Sequence, residues 1–277
     1  MILVTGATGN IGSALLEELR ACDAGPLRAF TRDAARAVFP EGVEAVEGDF
    51  TEPESLGSAL DGVRCLFLVS RLGPDAAVVE AARLAGVERV VLVSSITVQT
   101  HPHLGPAEEN VAVEQLLKDS GMAWTILRPT QFASNALMWA ESIRGREAVR
   151  APYADTGLPT IHPADIAAVA RVALTEPGHQ GRTYALTGPE QVTARQQVQA
   201  IAAALGRDVP FMEIARQEAY EQMAAAFGDE AADAVLDVTG GDVNDELLMV
   251  RDTVSRITGV PAREFRQWAA EHADVFR

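Results

Sequence analysis

The sequence predicts an α/β protein: a doubly wound parallel sheet with helices on both faces, followed by a smaller, mostly helical C-terminal domain. Three observations predict it. Short apolar runs alternate with amphipathic helical stretches across the first half of the chain. A glycine-rich turn joins the first apolar run to the first helical stretch. Past Leu127 the alternation stops and helical patterning dominates. We place the dinucleotide-type sheet domain in residues 1–150 and the C-terminal domain in 151–277, with some C-terminal segments returning to the sheet.

Strands are predicted at 2–5, 27–30, 44–47, 65–69, 90–93 and 124–127, where β-branched and aliphatic residues cluster. Helices are predicted between them at 11–21, 34–38, 53–60, 74–85 and 107–120. Right-handed crossovers then bring the carboxyl ends of all the strands to one edge, where ligands bind in such sheets. The residues expected at that edge are Gly6 to Gly12, Arg32, Asp49 and Phe50, Ser70 and Arg71, Ser94 and Ser95, and Arg128 to Phe132. Asp49 either accepts a hydrogen bond from an adenine amino group or caps the helix before Pro53. Further along, residues 145–160 read as a loop over the site, 163–174 as a helix and 183–186 as a strand. Helical patterning returns at 193–205, 216–227, 242–258 and 261–273.

The turn Thr5-Gly6-Ala7-Thr8-Gly9-Asn10-Ile11-Gly12 carries the chemistry. Free N–H groups and the positive dipole end of a helix cradle a pyrophosphate. Glycine serves where the chain turns sharply, where backbone nears phosphate, and where helix packs on strand. Arg32 lies about 20 residues past this turn, where an adenosine ribose is met. An acidic residue there pairs with a 2′-hydroxyl; an arginine grips a 2′-phosphate with a charged fork. Arg32 therefore favours NADP(H) over NAD(H), with Arg28 and Arg36 as possible helpers.

Composition narrows the rest. Apolar residues are 48% and charged residues 22%, as in ordinary globular proteins, and the formal net charge is −16. That charge argues against nucleic acid and against an anionic membrane surface. The two cysteines, Cys22 and Cys65, suit reduced thiols in a cytoplasmic setting, not a disulfide framework or a zinc site. Met1 leads directly into the first strand, so no signal peptide is expected, and no apolar run approaches the ~20 residues of a membrane span.

The chain resembles an atypical short-chain dehydrogenase/reductase of the NmrA-like group. The matching stretches are Val4 to Gly12, Gly48-Asp49-Phe50, Ser120-Gly121-Met122-Ala123-Trp124-Thr125-Ile126-Leu127-Arg128-Pro129, His162 to Ala167, and Phe265 to His272. The resemblance implies a Rossmann-like domain with NADP(H) in its crevice and a substrate pocket beneath the small C-terminal domain. It carries Gly6, Thr8, Gly9, Asn10, Ile11 and Gly12 onto the pyrophosphate and Arg32 onto the adenosine phosphate. Ser70, Ser94 and Pro129 fall where relatives line the nicotinamide half.

One departure decides the chemistry. Many short-chain reductases use Tyr-x-x-x-Lys, in which tyrosine protonates the carbonyl oxygen and lysine lowers its pKa. The matching positions here hold Pro106 and Asn110, and none of Tyr153, Tyr184 and Tyr220 lies in such a frame. The sequence reading is therefore hydride delivery to an acceptor that needs no buried acid, such as a quinone, enone or imine. The alternative is a non-catalytic NADP(H) redox sensor that binds a protein partner. Ser94 or Ser95 fills the substrate-orienting role. His101 and Tyr153 are the candidate proton donors, against a surface-loop and a packing role respectively, and no metal is expected from the His101/His103 pair. Gln131 and Asn135 either face the pocket or cap a helix, and His162 reads as structural. Met212, Met223, Leu247, Leu248 and Met249 read as cap core. The final aromatic residues pack either on the cap or on a partner subunit, which leaves a homodimer open.

Overall fold

The structure, a computed structural model, describes residues 1–49, 51–52 and 55–277. Phe50 and the expected helix start at Pro53 lie outside these residues. The chain runs β1 (Ile2–Val4), α1 (Asn10–Ala21), β2 (Leu27–Thr31), β3 (Val43–Glu47), α2 (Leu56–Leu60), β4 (Cys65–Val69), α3 (Asp75–Leu84), β5 (Arg89–Val93), α4 (Thr97–Thr100), α5 (Gly105–Asp119) and β6 (Ala123–Pro129). It continues through α6 (Ala140–Arg144), β7 (Val149–Ala151), β8 (Gly157–Leu158), α7 (Pro163–Thr175), β9 (Arg182–Leu186), β10 (Val192–Thr193) and α8 (Ala194–Leu205). It closes with β11 (Phe211–Glu213), α9 (Arg216–Phe227), α10 (Asp229–Leu236), α11 (Asp245–Leu248), α12 (Thr253–Thr258) and α13 (Phe265–Glu271).

Seven strands form one parallel sheet in the order β3-β2-β1-β4-β5-β6-β9. This is the Rossmann-like order. The strand order reverses at β1, whose Ile2 pairs with Leu27 of β2 on one side and Cys65 of β4 on the other. The crevice beyond the carboxyl ends at that switch point is where a dinucleotide lies in such sheets.

Burial follows the strand period. Val4, Phe67, Val91 and Val93 face α1 and α7, where Leu15, Leu16 and Leu19 meet Ile166, Ala170 and Ala173. Leu3, Leu66, Leu68, Val90 and Leu92 face the other layer, formed by Leu56, Val78, Val113 and Leu117 among others. Each fully buried leucine contributes about 1.5–3 kcal/mol. β9 and α7 both come from beyond residue 150 yet belong to the sheet and its cover. The rest of the C-terminal region forms a cap of helices with two small sheets, β10-β8 and β11-β7.

Several details differ from the sequence expectation. Residues 34–36 form a turn and 37–38 are irregular, so the expected helix is absent. The Asp33 side chain accepts from Arg36 N–H (3.0 Å), and Pro40 lies two residues beyond this stretch. The single helix expected at 242–258 is split into α11 and α12. Between them Arg251 N–H donates to Thr187 Oγ (2.9 Å), which holds the chain extended. Met212 and Met249 are 52% and 48% exposed, so they are not cap core, whereas Leu247 is buried. The final aromatics settle on their own chain: Phe265, Trp268 and Phe276 pack with Val198 and Ile201 of α8. Among the described residues no helix is long and apolar enough to cross a membrane.

Candidate active site

The turn after β1 is built as a cradle. Gly6 has φ +58°, a left-handed conformation that suits glycine, and its carbonyl accepts from Gly9 N–H (2.9 Å). A Cβ on Gly12 would sit 2.2 Å from Gly6 O and 2.9 Å from Ala7 Cα. The first turn of α1 therefore lies flat against the strand exit, and a side chain at Gly12 would push it away. Gly9 caps α1 without a side-chain hydrogen bond. The amides of Asn10, Ile11 and Gly12, the first three of the helix, have no carbonyl of their own helix to meet. Thr8 is exposed beside them.

At the end of β2, Arg32 is exposed. Its neighbour Asp33 is engaged with Arg36, whose guanidinium lies 3.9 Å away. Arg28 is no helper at the crevice. It is buried, its guanidinium forks onto Glu44 and donates to the carbonyls of Ala59 and Asp61 (both 2.8 Å). Asp49 closes a local turn and does not cap α2, whose N-cap is Ser55: Thr51 donates both its N–H and its hydroxyl to Oδ1 (2.9 Å each). Those two hydrogen bonds, with Arg32 nearby, hold its carboxyl below the usual carboxylate range. After β4, Ser70 donates its hydroxyl to Asn110 Oδ1 (2.7 Å), and Asn110 Nδ2 donates to Pro106 O (3.0 Å). Asn110 thus ties α5 to the end of β4.

A cavity of about 250 Å³ opens beside the ends of β5 and β6, beneath the cap. Ser94, Ser95, Pro129, Gln131 and Asn135 line its sheet side, and Val235, Val238, Thr239 and Leu247 form its roof. No intramolecular hydrogen bond engages the side-chain amides of Gln131 or Asn135 among the described residues. Asn135 is exposed at the lip.

The two serines differ in what surrounds them. Ser94 donates its hydroxyl to Glu114 Oε1 (2.8 Å). Glu114 is 1% exposed and is also gripped by Arg128, at 2.9 Å from Nε and 2.6 Å from Nη2, and by Lys118 Nζ at 3.2 Å. Burial pushes the Glu114 carboxyl up, but the hydrogen bonds from Arg128 and Ser94 outweigh it and hold the group ionised, below its ordinary range. Ser95 Oγ instead accepts from Thr97 N–H (3.2 Å) and from the Thr97 hydroxyl (2.8 Å).

Neither expected proton donor lies on the cavity wall among the described residues. His101 is not on the surface: it is 1% exposed, with Nδ1 at 2.8 Å from Thr100 Oγ and Nε2 donating to Asp242 O (2.6 Å). It straps the end of α4 to the segment that leads into the roof. Beside it Gln99 Nε2 donates to Glu246 (2.7 Å), and Asn244 Nδ2 donates to Thr100 O (3.1 Å). Tyr153, with φ +53°, packs its ring against Gly240, where an added Cβ would lie 2.2 Å from Cγ. His162 caps α7 by accepting from Ala164 N–H (3.1 Å) and bonds Glu271 (3.0 Å) through Nε2. Burial pushes its imidazole down, against the pull of Glu271.

Sequence reasoning missed Glu114 and the roof. Glu114 reads as one more acid on a helix, and its partners Ser94 and Arg128 lie 20 and 14 positions away. Nothing in the apolar pattern of the sequence points Val235 and Val238 toward a cavity.

These features define a dinucleotide-dependent reductase scaffold, and comparison with known proteins agrees. A family model described as NAD(P)H-binding matches residues 6–177, and the chain belongs to that family. Within it, the protein is an NmrA-like, atypical short-chain dehydrogenase/reductase and an NAD(P)H-dependent oxidoreductase. A (4-alkanoyl-5-oxo-2,5-dihydrofuran-3-yl)methyl phosphate reductase of Streptomyces griseus is 40% identical over 286 residues, covering 100% of this chain and 99% of the relative. An NAD(P)H azoreductase of Xenophilus azovorans is 38% identical over 290 residues, again covering 100% and 99%. The NADPH complex of the Escherichia coli NADPH-dependent quinone oxidoreductase QOR2 superposes with a TM-score of 0.81 at 28% identity, covering 98% of this chain and 99% of that one.

Proposed function

We propose that this protein binds NADP(H) in preference to NAD(H) and reduces an activated small molecule, a quinone, enone or imine, without a Tyr-x-x-x-Lys acid. One observation carries the reading: among the described residues, the cavity wall bears no ionisable side chain. A ketone needs a positioned acid as its alkoxide forms. A quinone or enone spreads the developing charge through conjugation and takes its proton from water. The volume of about 250 Å³ lies just below the roughly 300–1,000 Å³ typical of drug-sized ligands, which suits a compact acceptor.

The glycine turn fits a dinucleotide, because its backbone closes so tightly at Gly12 that peptide N–H groups, not side chains, face outward. Asn10, Ile11 and Gly12 hold the pyrophosphate, with Gly6, Thr8 and Gly9 shaping the turn. Arg32, whose charge has no carboxylate partner within salt-bridge distance among the described residues, meets the 2′-phosphate. The bound dinucleotide supplies the hydride. Ser70, Ser94 and Pro129 border its nicotinamide half. Ser95 acts on the acceptor: Thr97 donates its N–H and hydroxyl to Ser95 Oγ, which leaves the Ser95 proton free to turn to a substrate oxygen. Ser94 has spent its proton on Glu114 and offers lone pairs.

The test is to follow NADPH absorbance with a panel of quinones, enones and imines. Turnover is expected, and Ser95→Ala is expected to lower kcat by about 10–100-fold, somewhat less than the loss of a full oxyanion donor. Tight NADPH binding with no turnover of any acceptor overturns the proposal in favour of a redox-sensing regulator that binds a protein partner.

A further inference from the structure

We infer that the acceptor held in this cavity is uncharged, and that an anionic acceptor of the same ring size is refused; the inference rests on the reductase reading above. The wall carries the hydroxyls of Ser94, Thr97, Thr130 and Thr239, which already donate to Glu114, Ser95, Pro159 O and Val235 O, together with the Ser95 hydroxyl, two free amides, and otherwise aliphatic, proline and phenyl surface. Hydroxyls and amides pair with carbonyl or imine groups. They do not balance a buried negative charge, which needs a partner of opposite sign.

No cation lines the cavity among the described residues, and three arginines tied to its flanking elements are engaged elsewhere. Arg128, behind Ser94, forks onto Glu114, and its remaining Nη1 donates to Gln99 Oε1 (3.2 Å). Arg251, behind the roof segment, is paired with Glu246. Arg216, beneath the same segment, is held by Asp233 and Asp237 at 3.0 Å each. Freeing any of them for a substrate would strand a carboxylate. The roof itself runs Val235, Val238 and Leu247. The formal charge of −16 also lowers the concentration of anions near the surface. The Streptomyces griseus relative, whose substrate name includes a phosphate, is 40% identical over the whole chain, which makes a phosphate ester the discriminating probe.

The test uses a matched pair: 2-(hydroxymethyl)-1,4-naphthoquinone and its phosphate monoester, which carries about −1.5 to −2 charges at pH 7. Each is assayed with the full-length protein and NADPH, and each is titrated calorimetrically into the NADP⁺ complex. The neutral quinone is expected to show a kcat/KM at least about 100-fold higher and correspondingly tighter binding, a margin of about 2.7 kcal/mol. Asn135→Arg, which places a cation at the exposed lip, is expected to shift the preference toward the ester by about tenfold. Values for the two compounds within threefold of each other, or a preference for the ester, overturn the inference while leaving the reductase reading standing. Binding of the neutral quinone alone, with no turnover of either, supports the inference and defeats the reductase reading.

Discussion

Replacing Gly12 by alanine should cost this protein its dinucleotide. The added Cβ would lie 2.2 Å from Gly6 O, 2.7 Å from Gly6 C and 2.9 Å from Ala7 Cα, and real Cβ atoms essentially never approach within 3.0 Å. All three obstacles are backbone, so no side chain can swing aside. The turn must open by at least about 0.8 Å, at an overpacking cost of about 1–3 kcal/mol. Moving the Gly6 carbonyl also strains its hydrogen bond from Gly9 N–H (2.9 Å), worth about 0.5–1.5 kcal/mol. The total is about 1.5–4.5 kcal/mol, with about 2–4 kcal/mol as its central range. If binding must restore the original turn, the Kd for NADPH rises roughly 30- to 1,000-fold. If α1 instead slides outward in the free protein, Tm falls by about 3–7 °C, since a chain of this length gains about 0.6 kcal/mol/K of unfolding entropy. Calorimetric titration and a thermal melt read both routes. Gly57→Ala is the control, because nothing lies within 4 Å of its added Cβ, and it should bind NADPH normally. A Gly12→Ala protein with NADPH affinity within roughly threefold of wild type and Tm within roughly 1 °C would falsify the close-packing argument.

Three further outcomes are expected. Arg32→Glu should invert the coenzyme preference, weakening NADPH by about 10–100-fold while NADH binds as well or better; parallel titrations check it, and unchanged selectivity removes Arg32 from the adenosine site. Glu114→Ala strands Arg128 and should destabilise the fold by about 3–5 kcal/mol, read as a drop in Tm of about 5–9 °C; a drop under about 2 °C would mean the carboxylate is dispensable. His162 has a depressed imidazole pKa, so the unfolded chain binds its proton more readily than the folded one. Its contribution to stability is complete above the ordinary pKa of about 6.5 and is lost as pH falls through the lower folded value. His162→Asn keeps a side-chain cap for α7 but does not titrate, so its denaturation midpoints should vary less with pH below about 6.5. A wild-type slope identical to that of the variant would exclude His162 as the source.

The sheet was legible because its signals are local. Each of the first six strands is a short apolar run bounded by turn residues, and the glycine spacing marks the crevice before any packing is known. Residues whose role depends on a distant partner were not legible. His101 looked like a loop histidine because the carbonyl that holds it lies 141 positions away, at Asp242. Ser94 and Ser95 are indistinguishable as adjacent serines. Only the fold brings Glu114 to one of them and leaves Thr97 beside the other. The helix expected at 34–38 failed for a local reason, since an aspartate that opens a helix can equally close a single turn. Met212 and Met249 read as core by their chemistry alone, yet the fold leaves about half of each in water.

The packing of α1 against α7 has a consequence for how the chain is made. Leu15, Leu16 and Leu19 leave the ribosome about 150 residues before Ile166, Ala170 and Ala173, which cover them. At about 5–20 residues per second, the nascent helix waits roughly 7–30 s with its greasy flank uncovered. During synthesis, α1 thus emerges long before α7, the helix that seals its flank.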